Sequence, residues 1–296
     1  MRCLVTGHKG YIGSRLYATL EKLGHEVQGI DLQEEISKNI LKYLREDNDG
    51  EFHPYFYNFQ PEYVFHLAAV PRVAYSVEHP VATTQNNVLA GSLVLNFARK
   101  VGSVKRLIYA SSSSVMGDGS GPTSPYALQK LFTETECKLY SDLYGLDTVS
   151  LRYFNVYSPC QQAETAYATA VSNWMQHIRE RKNPFITDDG EQRRDMAHLE
   201  DVVSANIFAM ESGRQFNGQH FDVGTGNNIS LNEMKHTAKE YFPNVNFDYV
   251  AKREGDVKHT KADISPLKEL GWSPHYSIRE GISECFSSLR RELNGI

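Results

Sequence analysis

The chain has no CxxC pair, no cysteine–histidine cluster at metal-ligand spacing, and no apolar run approaching membrane-spanning length. Each absence removes a class of function. Cys3, Cys137, Cys160 and Cys285 are scattered through 296 residues. They read as free thiols in a reducing compartment, so neither a disulfide framework nor a metal site is expected. The first apolar strand starts at about residue 2, which leaves no room for a signal peptide, and a cytoplasmic protein is expected. Excess positive charge is missing too. The net charge is −5, which argues against general nucleic-acid affinity. An anionic ligand must then be met by individually placed Arg or Lys. The remaining composition, 41% hydrophobic and 23% charged, is that of a globular chain with core enough for one large domain or two unequal ones.

What is present begins at the N-terminus. A short apolar strand, Leu4-Val5-Thr6, runs into Gly7-His8-Lys9-Gly10-Tyr11-Ile12-Gly13, and a helical pattern of Ile12, Leu16, Leu20 and Leu23 follows. Gly7 suits a tight turn, Gly10 a close approach of pyrophosphate to the backbone, and Gly13 close packing of helix and strand. The helix N-terminus supplies N–H groups and positive potential for phosphates. A second apolar strand, Glu26-Val27-Gln28-Gly29-Ile30, ends at Asp31, where a carboxylate can bind an adenosine ribose. A ligand-free glycine-rich turn would need none of this context.

Strand-like and helix-like runs alternate through the first half. A charged, helix-prone segment covers 33–48, and a buried strand covers Tyr63 to Ala69. A long helix is expected over roughly 80–100, a strand over 104–111, a helix over about 125–144 and a strand over 148–153. This alternation implies an α/β fold with a doubly wound parallel sheet. The second half is more irregular, with Gly- and Pro-rich joints, and reads as a smaller mixed lobe. The division expected is 1–157 for dinucleotide binding and 158–296 for substrate, with some segments returning to the first domain.

Ser124-Pro125-Tyr126-Ala127-Leu128-Gln129-Lys130 is the second informative stretch. Ser124 suits an N-cap and Pro125 the first helical position. Tyr126 and Lys130 then share a helix face, and a lysine beside a tyrosine favours the phenolate. Such a tyrosine can take a proton from a substrate hydroxyl near neutrality. Upstream, Ser111 to Ser114 sit at the C-terminal end of a central strand, the edge where α/β sheets bind ligands. Spacing alone leaves open which serine acts.

At this point the sequence resembles the extended short-chain dehydrogenase/reductase superfamily, in its nucleotide-sugar epimerase/dehydratase branch. The motifs come in the family's order over nearly the whole chain. They are Thr6 to Gly13, His66-Leu67-Ala68-Ala69, Asn86-Asn87-Val88, Ser111 to Gly117, Tyr126 to Lys130 and Leu151 to Tyr157. Arg194 to Val202, Asp222 to Gly226, Arg253-Glu254-Gly255-Asp256 and Glu269 to Trp272 continue the series. The resemblance implies a Rossmann-type fold that holds NAD through Gly7, Gly10, Tyr11, Ile12, Gly13 and Asp31. Leu67, Ala68 and Ala69 would line the cofactor cleft, and Lys130 would also bind the nicotinamide ribose. Ser112 matches the family's catalytic serine and Tyr126 its base. Asn155, Arg194, Arg253 and Asp256 would contact the nucleotide sugar, the arginines at its diphosphate. The helices near 80–100 and 125–144 would pair two copies as a homodimer.

The resemblance also narrows the reaction. Dehydratases of the family carry an Asp-Glu pair where this chain has Ser113 and Ser114, and decarboxylating members usually keep Glu at the position of Ser114. Epimerisation through a 4-keto sugar remains, with UDP-N-acetylglucosamine or UDP-glucose as the expected substrate. Members restricted to plain UDP-hexoses often place a bulky aromatic where this chain has Thr260, which leaves room for an acetamido group. An NADPH ketoreductase is the nearest rival, and the Asp31 carboxylate would repel its 2′-phosphate. A non-catalytic dinucleotide sensor would have no use for the Tyr126–Lys130 pair. Three features depart from the family pattern: a short loop at 118–123, no clear strand in 32–60, and Cys160 and Arg72 where Arg and Ser are commoner.

Overall fold

A computed structural model describes residues 1–31, 53–161, 169–251 and 258–295. The described strands are β1 (Arg2–Thr6), β2 (Glu26–Ile30), β3 (Tyr63–His66), β4 (Arg106–Ser112), β5 (Thr148–Tyr153), β6 (Phe185–Thr187), β7 (Arg193–Arg194), β8 (Gln219–Val223), β9 (Ile229–Ser230) and β10 (Asp248–Val250). Six form one sheet in the order β2-β1-β3-β4-β5-β8. The β1–β2, β1–β3 and β3–β4 pairs are parallel. Parallel neighbours need crossovers, supplied by helices such as Tyr11–Lys22 between β1 and β2 and Pro125–Tyr144 between β4 and β5. The chain leaves β1 to one side for β2 and returns to its other side for β3. That reversal is the switch point at which doubly wound sheets bind ligands. The expected Rossmann-type α/β fold is the one found.

The chain divides into two units. The first holds Met1–Val115, Pro122–Arg152 and Val203–Phe221; the second holds Met116–Gly121, Tyr153–Val202 and Asp222–Ile296. In the first, Leu4, Val64 and Leu107 of the sheet pack with Val94, Leu95, Ala98 and Val101, one face of the Ala90–Val101 helix. A buried ion pair closes the other end of this unit. Arg106 Nε meets Asp147 Oδ2 at 2.6 Å. The Arg106 guanidinium also donates to the carbonyls of Ala209, Ser212 and Arg214, while Asp147 Oδ1 accepts the Phe216 and Asn217 N–H groups. The second unit has its own core, with Trp174, Met175 and Ile178 against Ile282, Phe286 and Leu289. It carries the antiparallel β7–β9 and parallel β6–β10 pairs. Among the described residues no helix is long and apolar enough to cross a membrane.

Two expectations change. The helix foreseen over 80–100 is three consecutive pieces: Pro80–Thr84, a π-turn at Gln85–Leu89, and Ala90–Val101. The strand foreseen to Ala69 stops at His66, because its next residues turn to Thr6. The Leu67 N–H donates to the Thr6 carbonyl, and the Ala68 N–H to Thr6 Oγ1 at 3.2 Å. The segment 33–48 lies outside the described residues.

Candidate active site

The glycine turn has the shape of a cradle. Gly7 has φ +75° and its N–H donates to the Ile30 carbonyl at 2.7 Å. A Cβ there would stand 2.8 Å from the Ala68 nitrogen, and one at Gly13 would stand 2.0 Å from the Gly7 carbonyl oxygen. A side chain at Gly7 would collide with the Leu67-Ala68 backbone and one at Gly13 with the Gly7-His8 backbone, so both positions call for glycine. Gly10 is the N-cap of the Tyr11–Lys22 helix, with no side chain capping it, so the helix end offers backbone N–H groups to an anion. Asp31 stands beside this turn and accepts the Lys9 N–H through Oδ2 at 2.9 Å. These residues fit a dinucleotide: glycines where its phosphates need backbone, a helix N-terminus, and a carboxylate at the end of β2. Sequence reading missed one partner in this turn. The His8 ring lies over β2 at Gly29, where a Cβ would come within 2.3 Å of it.

The candidate catalytic edge is built by β4 and the Pro125–Tyr144 helix. Ser124 caps that helix, accepting the Ala127 N–H at 3.2 Å, and Pro125 occupies its first turn. The Tyr126 N–H, which has no partner within the helix, donates to Ser76 Oγ at 3.1 Å. Lys130 is 3% exposed. Its Nζ donates to the Ala110 carbonyl at 2.7 Å and stands 6.0 Å from the centre of the Tyr126 ring. Burial pushes the Lys130 ammonium down to about 7. Of the serines ending β4, Ser111 is committed elsewhere: its hydroxyl donates to Glu134 Oε2 at 2.7 Å, and Glu134 also pairs with Arg152. Ser112 is half-buried and holds the next position along the edge.

A buried amide pair ties these parts together. Asn87, in the π-turn, accepts the Val70 N–H at 2.7 Å and donates to the Val70 carbonyl at 3.1 Å. It also donates to Gln129 Oε1 at 2.8 Å, and Gln129 donates to the Thr83 and Thr84 hydroxyls. The loop after Ala68-Ala69 is thus joined to the helix residue beside Lys130. A π-turn often marks a functional site, but nothing in local sequence spacing announces one.

The second unit carries Asn155, Arg194 and Thr260. Asn155 adopts φ +37°, a left-handed conformation that asparagine tolerates, and its Nδ2 donates to the Asp195 carbonyl at 2.6 Å. Arg194 Nη1 donates to the Arg193 and Lys258 carbonyls. The Thr260 hydroxyl accepts the Asp195 N–H at 3.3 Å, and its backbone bonds Arg193 and Asp195. Asp195 anchors this region, its buried carboxylate accepting N–H groups of Thr225, Gly226 and Ala262. Arg253 and Asp256 lie outside the described residues.

Comparison with known proteins agrees with this geometry. Residues 3–224 match the model of the NAD dependent epimerase/dehydratase family. The chain is 31% identical over 324 residues to a UDP-glucose 4-epimerase of Mycolicibacterium smegmatis, covering 99% of each. It superposes with TM-score 0.84 and 29% identity on a UDP-N-acetylglucosamine 4-epimerase from Methanobrevibacter ruminantium in complex with UDP-N-acetylmuramic acid, covering 100% of this chain and 99% of that one. A Thermus thermophilus UDP-glucose 4-epimerase in complex with NAD superposes with TM-score 0.83 and 28% identity, covering 98% and 99%. The chain is therefore an enzyme of the NAD-dependent epimerase/dehydratase family, in the extended short-chain dehydrogenase/reductase superfamily, and NAD is its cofactor.

Proposed function

We propose that this enzyme inverts carbon 4 of a UDP-sugar through a transient 4-keto sugar. The observation that supports the reading is Lys130, whose Nζ stands 6.0 Å from the Tyr126 ring centre and donates to the Ala110 carbonyl of the strand that ends at Ser112, with hydroxyls and no carboxylates at 113 and 114. NAD, which the Gly7–Gly13 turn and Asp31 would hold, would supply the acceptor and donor of hydride for the sugar carbon. Tyr126 takes the proton of the C4 hydroxyl and gives it back. Lys130, one helical turn on, favours the tyrosinate, and Ser112 donates a hydrogen bond to the sugar oxygen. Without a carboxylate pair at 113 and 114, the acid and base for water elimination are missing from that turn, which favours return of the hydride to the ketose.

Gly7, Gly10, Tyr11, Ile12, Gly13, Asp31, Leu67, Ala68 and Ala69 are assigned to the cofactor. Asn155, Arg194, Arg253 and Asp256 are assigned to the nucleotide sugar. The small Thr260 supports acceptance of an N-acetylated hexose, as does the likeness to a UDP-N-acetylglucosamine 4-epimerase. The four unpaired cysteines support a cytoplasmic setting. A second copy of the chain is the partner proposed for the Pro125–Tyr144 helix, which leaves Leu128, Phe132, Leu139 and Leu143 exposed.

The test is to incubate the protein with UDP-glucose and UDP-N-acetylglucosamine and resolve the C4 epimers by proton NMR. Both pairs are expected to interconvert. Tyr126→Phe is expected to lose about 10² to 10⁴ in turnover while still binding NAD. No epimer from either sugar, or less than a tenfold loss on removing the phenol, would overturn the reading.

A further inference from the structure

Ser114 lies where other reactions of the family need a carboxylate, and its hydroxyl is not idle. β4 ends at Ser112, and the chain turns at once through a single 3-10 turn, Ser113–Met116. The turn folds Ser114 back onto Ser112. The Ser114 N–H donates to Ser112 Oγ at 3.2 Å, and the Ser114 O–H donates to the same oxygen at 3.0 Å. A serine hydroxyl has two acceptor lone pairs and one hydrogen. Ser114 alone occupies both lone pairs.

We infer that Ser114 is a positioning residue that fixes the polarity of Ser112, leaving it able only to donate. The inference rests on the reading of Ser112 as the residue that meets the sugar oxygen. A half-buried serine rotor would otherwise spread its hydrogen among water and carbonyl acceptors. Held by two donors from one side, its hydrogen points away from the turn. The bond it then makes strengthens as negative charge gathers on the sugar oxygen, so its benefit falls on the reacting state more than on bound substrate. Polarisation by the two incoming donors adds in the same direction. Ser111 cannot serve instead, since its hydrogen is given to Glu134.

A hydroxyl that merely closed the turn would behave differently, and four variants separate the two roles: Ser114→Ala, Ser114→Thr, Ser112→Ala and the Ser112→Ala/Ser114→Ala pair. All are measured as NAD-loaded protein over UDP-sugar concentrations from below KM to saturation. Ser114→Ala keeps the backbone donor and loses the hydroxyl. It is expected to lower kcat about tenfold, the size of one net hydrogen bond, with KM and melting temperature held. Ser114→Thr restores most of kcat. In the Ser112→Ala background the second change makes no further difference. Wild-type kcat in Ser114→Ala overturns the proposal, and so does an equal loss in both backgrounds. Wild-type turnover in Ser112→Ala alone would instead overturn the role of Ser112, and the inference would fall with it.

Discussion

His66 shows what a single buried side chain does to the pH response. It ends β3, bonds Thr6 Oγ1 through Nδ1 at 2.8 Å and stacks on Tyr109. Burial, reinforced by the Lys130 charge, pushes its imidazole from 6.5 down to about 3. The folded state therefore keeps His66 neutral where the unfolded chain has already taken a proton. Its stabilising contribution is full above pH 6.5 and is lost as pH falls from 6.5 toward 3. Below 6.5 the unfolding free energy is expected to fall by up to about 1.4 kcal/mol per pH unit from this group. His198, also lowered by burial, adds to the slope. Urea titrations between pH 7 and 5 should show His66→Asn with a slope shallower by close to one proton. An unchanged slope would mean that His66 charges in the fold. The presence of a histidine before Leu67-Ala68-Ala69 was legible from the sequence; its neutrality was not, since that depends on the strands stacked around it. Ser112 divides similarly. Spacing offered four serines, and only the structure commits Ser111 to Glu134.

At the scale of one element, the Pro125–Tyr144 helix reverses the usual placement of polarity. Its buried side holds Gln129, Lys130, Thr133 and Glu134, while Leu128 is 60% and Leu143 63% exposed. Its start was legible because Ser124 and Pro125 are local signals. Its facing was legible only in part, because the surplus leucines pointed to a second copy but a core-facing helix would carry the same pattern. Gln129 is expected to be essential there despite the better helix propensity of leucine. Gln129→Leu strips Asn87 and two threonine hydroxyls of a buried partner and should cost about 1–3 kcal/mol, read by chemical unfolding at fixed pH. A stability equal to wild type would show that water replaces the amide. The neighbouring π-turn was illegible for a related reason: it is selected by Asn87 reaching Val70 and Gln129, contacts distant in sequence.

For the whole molecule, the sequence disclosed five of the six sheet strands and their ligand edge because each of those five carries its own apolar run, whereas β8 (Gln219–Val223), with only Phe221 and Val223 apolar, was not foreseen. The second half was harder. Arg193, Asp195 and Thr260 meet through backbone bonds across more than sixty residues, and no periodicity foretells that. The exposed leucines and Phe132 need a cover, and a second copy meets that need if the same face is presented by both. Light scattering at micromolar concentration should give the mass of a dimer. Leu128→Gln combined with Phe132→Gln should shift the population toward monomer. A wild-type monomer would contradict this assembly.

The Arg106–Asp147 pair carries a consequence for inheritance. Its satisfaction depends on Val203–Phe221, a stretch that returns to the first unit after the chain has built much of the second. A dinucleotide module cut at the end of β5 would retain two buried charges and lose the carbonyls and N–H groups that quiet them, a defect of several kcal/mol. The two halves are therefore not interchangeable cassettes. Recombination between relatives at a single crossover near residue 157 would mate Arg106 and Asp147 with a foreign returning segment, and such chimaeras are expected to hold the pair only where that segment's backbone follows the same path.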